Sequence, residues 1–387
     1  MNTTAALAQR RFRPGFWTGV FVLLFLAFCA VTVLRFTKGL GAVTHLSDQF
    51  PWGIWIGFDL LCGVGLAAGA FTLTAVVHLF NLKRFEPIVR PTILTGFLGY
   101  AFVIVALLLD LGQPWRIWHA IVYWNPHSVM FEVAWCVMLY TTVLAVEFSP
   151  VVFERFGFHA PARLIHRLIT PLVILGVILS TLHQSSLGSL YLIVPSKLHP
   201  LWYSPMLPLH FYISAIGAGI GMVILESYLS KRAFHRHLEM DLLEPLARGM
   251  VVALGIYGLM RLQAIARNHA FGSILHSYEG QMFLVEFVLG VILPVALMAF
   301  KKLRSHPDWL VGGAFLAVLG FVMNRLNISI TGMEAASGTR YIPSVMEITV
   351  SLGLVATGMA VFAFAVRTFP IFPEGPVAQT QEPAEGA

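Results

Sequence analysis

The residues Thr181-Leu182-His183-Gln184-Ser185-Ser186-Leu187-Gly188-Ser189-Leu190-Tyr191 close a long apolar run with an imidazole, an amide and a series of hydroxyls. A histidine at the rim of a hydrocarbon-embedded helix is costly, so it is expected to have a partner and a purpose. Three acids, Asp59, Asp110 and Glu132, stand at the ends of neighbouring apolar runs. Quinone reduction needs electrons, protons and hydrogen bonds to both carbonyls. An imidazole titrates near neutrality, and a carboxyl group at a membrane edge can hold a proton and deliver it. His183, Glu132 and Asp59 are therefore the candidate catalytic residues. Asp59, Asp110, Glu132, His183 and Gln184 are the candidate lining of a quinone pocket. The bland alternative makes His183 a helix cap and gives the acids structural hydrogen bonds. Four such groups at one depth favour a site.

The elements that position these residues follow from composition. Hydrophobic residues make up 57% of 387 positions, charged residues 11%, and the mean hydropathy is +0.78. A soluble domain carries about 25% charged residues. Runs long enough to span a bilayer fall near 16–36, 52–80, 91–110, 128–149, 165–183, 208–230, 246–266, 281–300, 308–325 and 345–367. The expected fold is all-α: a polytopic membrane protein of about ten transmembrane helices, with helices two to five and six to nine as two four-helix bundles and helices one and ten flanking them. The expected divisions are 1–50 (N-terminus and first helix), 51–200 (first bundle with the site), 201–343 (second bundle) and 344–387 (last helix and a disordered tail). Gly65-x-x-x-Gly69 has a counterpart in Gly217-x-x-x-Gly221, and Glu132 in Glu286, at offsets of 152 and 154, which suggests a parallel repeat.

Lysines and arginines set the orientation. With the N-terminus in the cytoplasm, 17 fall on inner segments and 6 on outer ones, so both termini are expected inside. Arg10-Arg11-Phe12-Arg13 reads as the basic flank of a retained first span, because no small-residue cleavage site follows. The four-residue set then lies at the outer, periplasmic face. Cys29, Cys62 and Cys136 sit inside apolar runs without a C-x-x-C pair, so no metal or cluster is expected. Histidines are badly placed for facing pairs across a bundle, so no haem is expected either. Proton translocation coupled to the reaction would need polar groups crossing the membrane, and the candidates are His78, Glu226, Arg261 and Glu286. Opposite charges in the second bundle are also read simply as pairs.

The strings Phe50-Pro51-Trp52-Gly53-Ile54-Trp55-Ile56-Gly57-Phe58-Asp59-Leu60-Leu61, Ser128-Val129-Met130-Phe131-Glu132, Glu147-Phe148-Ser149-Pro150, Leu182-His183-Gln184-Ser185-Ser186-Leu187-Gly188-Ser189-Leu190 and His199-Pro200-Leu201-Trp202 resemble the NrfD/polysulphide-reductase membrane subunits. Within that family they are most similar to the HybB branch, the membrane subunit of periplasmic nickel–iron uptake hydrogenases. The resemblance runs from about residue 35 to Pro373. It implies a quinone-reactive subunit without haem, inactive alone. It also implies a docked periplasmic ferredoxin-like iron–sulphur subunit, hydrogenase or other catalytic subunits, and menaquinone or ubiquinone as substrate in a bacterial inner membrane. The family's acids on helices two and four fall on Asp59 and Glu132, and its helix-five histidine on His183. The segment from Arg325 to Tyr341 departs from the pattern.

Two other functions are weighed. One is a quinol-oxidising subunit feeding a multihaem cytochrome or another periplasmic reductase. The other is a secondary transporter, suggested by the repeated bundles and opposed by the absence of a Pro/Gly break in mid-span.

Overall fold

In a lipid interior every backbone N–H and C=O must be satisfied within the segment, so a chain this apolar has helices as its route across. The computed structural model describes residues 15–234 and 238–372, and among them there is no strand. Ten helices are long and apolar enough to cross a membrane: α1 (Phe16–Lys38), α2 (Trp55–Leu79), α3 (Lys83–Asp110), α4 (Val129–Phe156), α5 (Ile169–Ser189), α6 (Leu207–Phe234), α7 (Met240–Arg267), α8 (Tyr278–Ala299), α9 (Pro307–Ser337) and α10 (Val345–Thr368). The chain is a polytopic all-α membrane protein. The basic N-terminal flank, Arg236 and the tail beyond Phe372 lie outside the described residues.

Helix α2 packs on α3 and α5, α3 on α4, and α4 on α5; α6 packs on α7 and α9, α7 on α8, and α8 on α9. The seam between the two sets is α2 against α6, with α5 also on α6. A Cβ at Gly69 would lie 1.8 Å from the Ala215 carbonyl oxygen, and one at Gly219 would lie 2.2 Å from the Gly69 carbonyl carbon. Glycine is what lets these two backbones touch. Helix α1 packs on α10, and α10 also lies on α3. Arg35 is the buried residue of α1; its guanidinium donates to the carbonyls of Leu109 and Leu111 at the end of α3, at 2.6 and 2.5 Å.

Several helices extend beyond the apolar runs, and two of these extensions share one reason. Helix α5 continues past His183 to Ser189, and α9 continues past Arg325 to Ser337. In both, a polar run drops the hydropathy while the backbone stays helical. The α9 extension includes a widened π turn, Asn327–Thr331, and further π turns occur at Trp55–Leu60 in α2 and Val288–Ile292 in α8. Such turns displace side chains from the regular helical rows and are frequent at functional sites.

Candidate functional site

His183 sits one and a half turns inside α5 and is fully buried. Its Nδ1 is 2.9 Å from the Tyr100 hydroxyl of α3. Its Nε2 is buried and has no hydrogen-bond partner among the described residues. With the phenol donating to Nδ1, the ring proton belongs on Nε2. Gln184 is equally buried, and both atoms of its amide are unpartnered. Aromatic rings surround this centre: Tyr100 meets Tyr140 edge-on at 4.6 Å between centroids, and Phe71 meets Tyr140 at 5.4 Å. Further along α4 the Glu147 carboxyl is buried with neither oxygen bonded. Unmet polar groups in a dry interior are expensive, and among the described residues several of them are concentrated within α3, α4 and α5.

The three acids do not hydrogen-bond to His183. Asp59 lies in the π turn of α2, and its Oδ2 accepts the Ser351 hydroxyl of α10 at 2.6 Å. Asp110 ends α3, half-buried, with Oδ1 enclosed and unpartnered. Asp59 and Asp110 lie within electrostatic reach of each other, and Asp110 within reach of Glu347. Glu132 stands in the first turn of α4, half-buried, and no hydrogen bond from a described residue reaches its carboxyl. The four-residue ring is thus resolved into an imidazole centre, an Asp59–Asp110 pair facing α10, and a separate Glu132.

Around Glu347 is a cluster the sequence did not reveal. Ser344 and Glu347 form a capping box that starts α10. The Glu347 carboxylate accepts the Tyr341 hydroxyl and the His45 and Ser344 backbone N–H groups, the last two at 3.0 and 2.8 Å. Burial, and then the neighbouring carboxylate, push the Tyr341 phenol well above its ordinary range.

Helices α6 to α9 hold a different kind of centre. Glu286 accepts the Trp202 indole at 2.9 Å and the Asn324 and Asn327 amides at 2.7 and 2.8 Å, with Arg261 at 3.9 Å. Arg325 is fully buried between Phe211 and Phe321, 3.8 and 4.3 Å from their ring centres, and donates to Asn324, Phe211 and Ser214. Elsewhere His78 bonds the Thr74 carbonyl of its own helix, and Glu226 accepts from Thr95 at 2.6 Å. His78, Glu226 and the Arg261–Glu286 pair are three separate groups, with no hydrogen bond between them among the described residues. A cavity of about 50 Å³ lies beside Glu226, lined also by Thr92, Ser227, Ser230 and Glu239; one of about 10 Å³ touches Glu286, Tyr257 and Asn324. The cavity beside Glu226 shares no lining residue with the His183 centre, and it lacks the unmet donors and acceptors found around the imidazole.

Residues 42–335 match the family model described as polysulphide reductase, NrfD. The chain belongs to the NrfD family. A protein of Nitratidesulfovibrio vulgaris is 42% identical over 93% of this chain and 94% of its own length. The Escherichia coli protein called the probable Ni/Fe-hydrogenase 2 b-type cytochrome subunit is 33% identical over 88% of both chains. The menaquinone reductase integral membrane subunit of Nitratidesulfovibrio vulgaris is 28% identical over 92% of this chain and 91% of its own. Membership of the NrfD family, with likeness to the hydrogenase branch, agrees with the resemblance seen in the sequence.

One expectation is corrected. The chain was expected to be without haem, yet the Escherichia coli relative is named a b-type cytochrome subunit. The sparse placement of histidines along a sequence does not exclude a pocket made between helices. Two buried imidazole nitrogens, His183 Nε2 and His210 Nδ1, are unpartnered and are of the type an iron takes. His183 Nδ1 lies against Tyr100 of α3, while the His210 ring packs edge-on against Tyr257 of α7 at 6.2 Å.

Proposed function

We propose that this chain is the quinone-reactive membrane subunit of a respiratory oxidoreductase complex, exchanging electrons between an extramembrane iron–sulphur subunit and menaquinone or ubiquinone. The observation that carries the reading is His183: fully buried, oriented by Tyr100 through Nδ1, with Nε2 left to donate to a quinone carbonyl. Gln184 supplies a further unmet amide beside it. Asp59 and Asp110, at the same end of the packed helices, hold and deliver the protons the reduced ring takes up. Glu132, on the neighbouring α4, is a third carboxyl near that end. Because His183 is closed off, the quinone head enters by parting the side chains that cover it. The names of two relatives support this reading, one a menaquinone reductase subunit and one a hydrogenase subunit. They favour quinone reduction in a hydrogenase-type complex over a quinol-oxidising role.

The excess of basic residues on the opposite loops supports a His183 end at the periplasmic face of a bacterial inner membrane, with both termini cytoplasmic. Trp115, Trp118, Tyr123 and Trp124, all largely exposed in the loop between α3 and α4, form the surface on which the redox partner sits. In this reading 51–200 is the quinone-handling unit and 201–343 its structural counterpart. Replacement of His183 by Ala tests the proposal: quinone turnover by the complex falls about 10²–10⁴-fold while dye-linked activity and assembly persist. Wild-type quinone turnover in that variant contradicts it.

A further inference from the structure

The last membrane helix lies beyond residues 42–335, the part matched by the family model, yet it reaches the proposed site. Two hydrogen bonds join α10 to α2 in register. The Trp55 indole donates to the Glu347 carbonyl at 3.1 Å; four residues further along each helix, the Ser351 hydroxyl donates to Asp59 Oδ2 at 2.6 Å. Trp55, Glu347 and Ser351 are each no more than 3% exposed. The α2 side of both bonds belongs to the π turn Trp55–Leu60, which turns Asp59 towards α10. The α10 side is anchored one turn earlier, where Glu347 binds Tyr341 and the backbone of His45 and Ser344. Among the described residues no other hydrogen bond reaches the Asp59 carboxyl. The torsion that orients a carboxyl group is broad when unconstrained. One short bond to Oδ2 fixes it, and with it the direction of Oδ1.

We infer that Ser351 is a positioning residue of the quinone site, holding the Asp59 carboxyl in place through this one hydrogen bond without touching substrate itself. The inference rests on the assignment of Asp59 to the quinone site. It makes α10 part of the working unit rather than a flanking anchor.

The test is a double-mutant cycle in the whole complex, with menadione as the probe and a dye-linked assay as the control for assembly. Ser351→Ala lowers menadione turnover about ten-fold, the scale of a hydrogen bond to a charged group, and leaves dye-linked activity unchanged. Ser351→Thr, which keeps the hydroxyl, restores turnover. In an Asp59→Asn background, Ser351→Ala costs less than about two-fold further, because the carboxylate it positions is gone. Wild-type turnover in Ser351→Ala, or losses that multiply in the double variant, overturns the inference while leaving the site itself standing. A silent Asp59→Asn instead removes Asp59 from the site, and Ser351 with it.

Discussion

The two helical sets differ in how they treat the polar groups they bury. In α6–α9, the Glu286 carboxylate takes three neutral donors and an arginine, and Arg325 is enclosed by two rings and three acceptors. In α2–α5, His183 has one partner, and Gln184 and Glu147 have none. The second set is not wholly saturated: His210 Nδ1, Arg325 Nε and two nitrogens of Arg261, which lies over the Phe283 ring, have no hydrogen-bond partner among the described residues. The contrast is nevertheless strong enough to separate roles. A satisfied buried network specifies packing, whereas unmet donors and acceptors cost the fold stability and are retained where a ligand completes them.

That contrast can be broken by experiment. The largest effect on stability is expected in the second set. Glu286→Ala leaves Arg261 and three donors uncompensated at a 3% exposed position, and should cost about 3–5 kcal/mol, read as loss of folded protein in detergent on heating. If that variant melts like the wild type and loses only quinone turnover, the division of roles is wrong. Tyr100→Phe is a smaller change in the first set. It removes the bond that orients His183, so it should lower quinone turnover about ten-fold and stability by only about 1 kcal/mol. A Tyr100→Phe protein with full turnover would mean that His183 needs no orientation.

Hydropathy alone carried much of the fold. Ten apolar runs became ten membrane helices, and the positions of Asp59, Asp110, Glu132 and His183 near helix ends were legible from the run boundaries. The partners were not. Ser351 lies 292 residues from Asp59 and Tyr100 lies 83 from His183, each in a run whose pattern gives no sign of which face meets which helix. Tyr100 did leave a trace, as a phenol inside an otherwise apolar segment. Arg325 fell where the sequence departs from the family pattern, and its enclosure between Phe211 and Phe321 depends on α9 meeting α6. The polar runs at Gln184–Ser189 and Asn327–Thr331 read as helix ends, although the hydroxyls of Ser185, Ser186 and Ser189 bond carbonyls of their own helix, Asn327 reaches Glu286, and the backbone continues.

The proposed ligand-accepting place is the His183 centre and not the cavity beside Glu226. A photoreactive menaquinone analogue, cross-linked in native membranes and mapped by mass spectrometry of the recovered chain, tests this directly. Adducts are expected on α2, α3 and α5 around Asp59, Tyr100 and His183, suppressed by excess menaquinone. Adducts confined to the cavity lined by Thr92, Glu226 and Ser227, or to the surroundings of Glu286, would contradict it.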